Sequence, residues 1–176
     1  MTHQLNFIYN DSDWVCPPEY PDLSQAKEIA IDLETKDPNI KTKGAGWPTF
    51  DGAIVGFAVA AFDQQWYFPI QHDAGGNMDV AVTTAWMQDV LNTPATKIFH
   101  NASYDVGWLK INGFNINGPI VDTMIAAALI NENRFSFALN SCAKDYLGEI
   151  KNETFLNEKA KEWGIDPKAD LWKLPA

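Results

Sequence analysis

The sequence predicts an α/β fold, a mixed sheet that begins as an antiparallel meander and carries helices on both faces. Three observations lead there. Residues 28–35, 53–61 and 64–70 are rich in β-branched and aromatic residues or alternate apolar with polar, and only Phe62 and Asp63 separate the last two runs. From residue 78 the apolar residues recur at helical spacing instead. Two further strand-like runs, 96–100 and 119–122, then alternate with helical segments, which implies crossover connections within a sheet. A chain of 176 residues that is 46% hydrophobic is long enough for one domain with a core of its own, burying roughly 70% of the surface it exposes when unfolded.

Taken in order, residues 1–27 read as an extended N-terminal arm, because Pro17, Pro18 and Pro21 interrupt a stretch with no regular period. Residues 28–176 form the domain. "EIAIDLET" (28–35) is a strand by alternation, "AIVGFAVAA" (53–61) a buried strand, and "QQWYFPI" (64–70) its hairpin partner across Phe62 and Asp63. "MDVAVTTAWMQDVLN" (78–92) spaces Val82, Trp86 and Val90 as a helix, and "TKIFH" (96–100) returns to strand. A helix over 103–114 stops at Gly113, "PIVD" (119–122) is a short strand, and "TMIAAALIN" continues from it as a helix. From residue 135 to the end the pattern is helical.

The formal charge of −10 argues against a domain that grips nucleic acid by bulk electrostatics, since neutralising phosphates takes Lys and Arg. No apolar run reaches the roughly 20 residues of a membrane span, and the N-terminus lacks the basic start and apolar stretch of a signal peptide. A soluble, cytoplasmic protein with no membrane partner is expected. Cys16 and Cys142 lie far apart and in no metal-ligand spacing, so neither a disulfide framework nor a zinc site is suggested.

One strand raises a chemical question. Strand alternation points Ala30, Asp32 and Glu34 to one face while Ile29, Ile31 and Leu33 fill the other, so two carboxylates stand side by side. Removed from water without a counter-charge they would cost several kcal/mol or take up protons. Arg134 is the only arginine, and Lys27 and Lys36 flank the strand at its ends. A divalent cation is the better partner, and an all-oxygen donor set suits Mg²⁺ or Mn²⁺. Further on, "IFHNASYDVGWL" places Asp105 near the first turn of a helix, where it also suits the helix dipole. In the same stretch Asn101 suits an N-cap. Asp122 closes a short strand and is well placed to cap the helix that follows.

In this order the segments resemble the proofreading 3′–5′ exonuclease domain of family A DNA polymerases, of the ribonuclease H-like superfamily. "AIDLET" resembles the first motif of that family, with Asp32 and Glu34 at its acidic positions. "HNASYD" resembles the second, with Asp105 as the carboxylate, Asn101 beside the substrate strand and Tyr104 packed next to it. "VDTMIAAALIN" is similar to the Asp-Thr helix of the family, with Asp122 supporting, and "NSCAKDYLG" to the helix after it. "GAIVGFAVA" and "WYFPIQHD" are similar to the second and third strands of phage-type members. The resemblance covers about residues 28–165.

It implies a two-metal site of Mg²⁺ or Mn²⁺ ions about 4 Å apart. Asp32 would bridge both ions, Glu34 would hold the nucleophile-side ion and Asp105 would serve the other. The implied substrate is the 3′ end of single-stranded DNA, met by Leu33, Thr35, Asn101 and Tyr104. The implied partner is a polymerase domain C-terminal to this segment. Phe135 and Phe137 are alternative contacts for the bases, although core packing is the plainer expectation for both.

The pattern departs from the family in one place. The third motif, a Tyr or His followed four or five residues later by Asp, is missing from the region around residues 154–176, and Tyr9 with Asp13 shows that spacing only before the first motif. Asp166 and Asp170 lie in the right region but read as surface acids at helix ends. The expectation is a domain incomplete at its C-terminus and impaired in activity. Two other readings fit the same residues: an RNA exonuclease of the ribonuclease D type, and a non-catalytic domain that binds DNA ends or a polymerase partner.

Overall fold

The computed structural model describes residues 15–149, 153–167 and 169–175; most of the expected arm, residues 1–14, lies outside them. The central strand is β1 (Glu28–Lys36), whose Ile29, Ile31 and Leu33 are buried. A short helix, α1 (Ile40–Lys43), follows in the connection to β2 (Ala53–Ala61). β2 pairs antiparallel with β1 from Ala30 opposite Ala60 to Lys36 opposite Ala53, with a bulge between Glu34 and Thr35. β3 (Gln64–Pro69) pairs back onto β2. The hairpin turns on Phe62 and Asp63 at φ 53° and 58°, the left-handed pair whose twist matches that of the flanking strands.

Helix α2 (Val80–Asn92) starts two residues later than spacing alone predicts, because Asp79 is its cap and accepts from the Val82 N–H. β4 (Thr96–Phe99) then lies parallel to β1, α3 (Ala102–Ile111) follows, and β5 (Ile120–Asp122) lies parallel to β4. Gly113 ends the turn after α3 at φ 86°. The helix read at "TMIAAALIN" is α4 (Thr123–Ile130), and the helical reading from residue 135 to the end resolves into α5 (Leu139–Leu147) and α6 (Thr154–Trp163), with a 3₁₀ turn at Leu171–Lys173. Gly148 and Gly164 cap α5 and α6 in the left-handed conformation.

The sheet order is β3-β2-β1-β4-β5. Phe57, Phe68, Met87, Leu91, Trp108 and Leu109 are buried in one core that joins the sheet to α2 and α3. Within the expected arm, Leu23 and Ala26 are buried in that core and Tyr20 stacks on Phe68. β4 pairs only with Glu28–Ala30 of β1, so β1 runs on beyond its neighbour and presents the edge of its second half to the start of α3. Among the described residues no helix is long and apolar enough to cross a membrane.

Candidate active site

The alternation of β1 places Asp32, exposed, and Glu34, half-buried, on the face opposite the buried Ile29, Ile31 and Leu33. The bulge directly after Glu34 re-aims the strand at this point. Lys36 is directed to the Trp172 ring, 3.8 Å from its centroid, and to Asp73 at 3.9 Å. From the first turn of α3 comes Asp105, only 3% exposed, whose Oδ1 accepts the Leu33 N–H at 3.0 Å. This carboxylate therefore occupies the place along β1 that β4 has vacated. Burial, with the charge of Asp32 and more weakly that of Glu34, pushes its pKa up to about 7 against the opposing Leu33 hydrogen bond.

The start of α3 is held from outside the helix. Asn101 sits at the N-cap position in the left-handed conformation, φ 72° and ψ 53°, but its side chain makes no capping bond; its Oδ1 accepts from the Ser103 hydroxyl at 3.1 Å. The capping group is Asp122, at the end of β5. Its carboxylate accepts from the N–H groups of Asn101 (3.1 Å), Ala102 (2.8 Å), Met124 (2.9 Å) and Ile125 (3.4 Å), so it caps α3 and α4 together. Burial alone would raise its pKa, but these four donors hold the carboxyl below its usual range.

Tyr104 and Thr35 are joined. The Thr35 hydroxyl lies 2.7 Å from Tyr104 Oη, which itself donates to Asp37 Oδ2 at 3.1 Å; Asp37 also accepts the Gly46 N–H. With the Tyr104 proton given to Asp37, Thr35 is the donor in the first bond. Burial, the largest cause, pushes the Tyr104 pKa up to about 12. Trp47 from the same loop lies against Gly107, where a Cβ would come within 2.4 Å of the ring. The 37–52 loop is thus pinned to α3 beside the acids.

A cleft of about 900 Å³ opens over the Asp32 face, its floor formed by Ala30, Ala58, Ala60 and Ile98 and its sides by Tyr67 and His100. His100 lies between Thr123 Oγ1 and the Phe137 carbonyl, each at 2.9 Å, and so ties α4 and the approach to α5 to the end of β4. Phe135 is fully exposed, which overturns core packing as its plainer reading; Phe137 is half-buried. Asp166 accepts from Lys41 at 2.7 Å and Asp170 pairs with Lys173 at 2.7 Å, both at a turn before the 3₁₀ segment. Sequence reasoning missed Tyr67, His100 and Asp37. Alternation within 64–70 sets Tyr67 apart from Trp66 and Phe68, but only the register across two strand pairs puts it on the Asp32 face.

Asp32, Glu34 and Asp105 share the end of the sheet and are in electrostatic reach of one another. They do not converge to ligand distance: among the described residues, no three His, Cys, Asp or Glu side chains are gathered to hold an ion. The donor set still fits a hard divalent cation, being all carboxylate; burial first, and then the charges of Asp32 and Glu34, raise the Asp105 pKa, and a bound cation would offset both.

A mixed 3-2-1-4-5 sheet, with acids on its first strand and a third acid from the helix after β4, is a ribonuclease H-like fold. The chain belongs to the 3′–5′ exonuclease family of family A DNA polymerases, a family of hydrolytic nucleases: a family model described as 3′-5′ exonuclease matches residues 21–174. A DNA-directed DNA polymerase of Pseudomonas phage M6 is 33% identical over 97% of this chain and 27% of the relative, so the chain spans about a quarter of that protein's length. Among solved structures, the Trypanosoma brucei RNase D complex with RNA U12 matches with a TM-score of 0.62 at 19% identity, covering 86% of this chain and 48% of that one. Brucella melitensis NrnC with bound Mg²⁺ matches at 0.55 and 19% identity, covering 77% and 61%. At these identities the two structures establish the fold.

Proposed function

We propose that this chain is the proofreading domain of a phage polymerase, working in the host cytoplasm, and that it removes nucleotides from the 3′ end of single-stranded DNA. The observation that carries the reading is the Asp105 carboxylate bound to the amide of Leu33, between Asp32 and Glu34. Asp32, Glu34 and Asp105 would hold Mg²⁺ or Mn²⁺. Bound there, such ions supply Lewis-acid charge that acidifies water and offsets the crowding of carboxylates against phosphate.

The strand lies in the cleft, its bases over the small apolar floor of Ala30, Ala58 and Ala60. Leu33 and Thr35 border it from β1, and Asn101 from the start of α3. Tyr104 acts through Thr35, whose hydroxyl it fixes. Asp122 supports the site by setting where α3 begins. In the reaction, water adds to the terminal phosphorus, the P–O3′ bond breaks and the departing 3′ oxygen takes a proton. One nucleoside 5′-monophosphate and a strand shorter by one residue result. Partnership with a polymerase domain C-terminal to this segment is part of the proposal, motivated by the length of the phage relative.

The test is degradation of matched 5′-labelled DNA and RNA single strands by the purified chain with Mn²⁺. Slow stepwise loss from the 3′ end of DNA, abolished by EDTA and by Asp32→Ala or Asp105→Ala, is expected. Cleavage indifferent to both substitutions would refute the site, and faster degradation of RNA would refute the substrate.

A further inference from the structure

Lys97 lies outside the cleft and takes no part in the chemistry above. Ile98 lines the cleft, so Lys97, one position earlier on β4, points to the opposite face, where α2 ends. There it is fully buried. Its Nζ donates to the carbonyls of Thr93 at 2.5 Å, Ala95 at 3.1 Å and Asn117 at 2.9 Å, and to the Thr93 hydroxyl at 3.1 Å. Among the described residues its partners are all uncharged oxygens.

Three of these oxygens are carbonyls, which only accept, so three N–H groups are needed where a neutral amine has two. Burial lowers the Lys97 pKa, and the acceptors act against it by favouring the charged form. The Thr93 hydroxyl gives its own proton to the Val90 carbonyl, which leaves its lone pairs to Lys97. Thr93 is also the C-cap of α2, where the helix dipole favours a cation. A charge enclosed by neutral oxygens at a helix C-terminus has the chemistry of a potassium or ammonium site, with the side chain supplying the ion.

The cage reaches β5. Asn117 lies just before that strand, and the Lys97 backbone N–H also donates to the Pro119 carbonyl at 2.9 Å. β5 is three residues long and stands at the edge of the sheet, with Ile120 45% and Val121 39% exposed, so little side-chain packing sets its register. Slipping by one residue would carry Asp122 about 3.3 Å along the strand and turn it to the other face, away from the amides of Asn101 and Ala102.

We propose that the Lys97 ammonium is an internal monovalent cation whose carbonyl cage sets the register of β5 on β4, and thereby the place of Asp122, and that this cage accepts a free alkylammonium ion when the side chain is cut short.

Thermal unfolding of Lys97→Ala with n-propylammonium, which replaces the removed atoms, tests it without use of nuclease activity. Lys97→Ala is expected to lower Tm by about 10 °C, since three buried carbonyls lose their donor. Propylammonium is expected to restore most of that loss saturably and to leave wild type unmoved, while n-propanol, similar in shape but neutral, restores far less. Lys97→Met keeps the apolar stem and loses only the ion; in it the Ala102 and Met124 amides are expected to lose hydrogen-exchange protection together. Equal rescue by propanol, or unchanged protection of those two amides, would overturn the proposal. If Lys97→Ala does not fold, wild type decides the charge: an ¹H–¹⁵N spectrum at neutral pH is expected to show Lys97 Nζ as an ammonium shielded from exchange, and a neutral amine there would overturn the proposal.

Discussion

The Leu33 amide and the Asp105 carboxylate meet at 3.0 Å across 72 positions of sequence. The bond fastens α3 to β1 where β4 no longer pairs with it, and it also confines an acid in a buried place beside two others. The folded chain therefore keeps Asp105 protonated up to about pH 7, whereas the unfolded chain releases that proton near its usual value of 3.8. Between those limits the folded state binds more protons, so stability falls as pH rises and levels off above the window. Without metal, Asp105→Asn is expected to match wild type at pH 4 and to exceed it at pH 8 by on the order of 2–4 kcal/mol, at about 1.4 kcal/mol per pKa unit. Urea unfolding of both proteins across that range checks the expectation, and a gap independent of pH would contradict it.

The same crowding bears on metal. Millimolar Mg²⁺ or Mn²⁺ is expected to raise Tm by about 3–6 °C at tenfold excess over Kd, by binding only the folded state. Asp32→Asn, which removes one ligand charge, is expected to shrink that gain. Differential scanning calorimetry with and without the ion reads it directly, and superimposed traces for both proteins would show that no site forms.

Asp122 accepts at two helix starts. Asp122→Ala is expected to cost about 1–4 kcal/mol, the loss of two caps at roughly 0.5–2 each. Asp122→Asn keeps an oxygen for Asn101, Met124 and Ile125, which bond Oδ1, and gives up the Ala102 bond to Oδ2, so it should fall between. Equal losses in the two variants would mean that charge, and not the accepting oxygens, carries the effect.

Gly107 gives Trp47 its place on α3. Gly107→Ala is expected to destabilise by about 1–3 kcal/mol through overpacking, less the roughly 1 kcal/mol that Ala gains over Gly in a helix. Adding Trp47→Ala should reverse the sign of the Gly107 substitution, so a double-mutant cycle is the measurement. Additive effects would show that the ring moves aside at no cost.

The strands, the helices α2 to α4 and the shared face of Asp32 and Glu34 were legible because each rests on local period, while the exact helix starts were not. Asp122 could be read as a cap because it lies next to its helix, whereas Asp79, the cap of α2, was read as part of that helix. What escaped depends on distance in sequence. Asp122 also caps α3, 20 residues earlier, and that leaves Asn101 at the cap position without the capping role its type suggests. Asp37 follows a strand, a place that reads as exposed loop, yet it is buried because Tyr104 and Gly46 bond its carboxylate. Tyr67 joins the Asp32 row only through the register of two strand pairs, which alternation within one strand does not fix.

Because one carboxylate terminates two helices, their first turns share a fate in time as well as in space. The amide protons of Ala102 and Met124, 22 residues apart in chain order, both depend on Asp122 for shelter from solvent. A fluctuation that swings this side chain outward exposes both at once, so their exchange with deuterated water should share one opening free energy. The end of β5 would then breathe together with the start of α3, as a single cooperative unit that no contiguous stretch of the chain outlines.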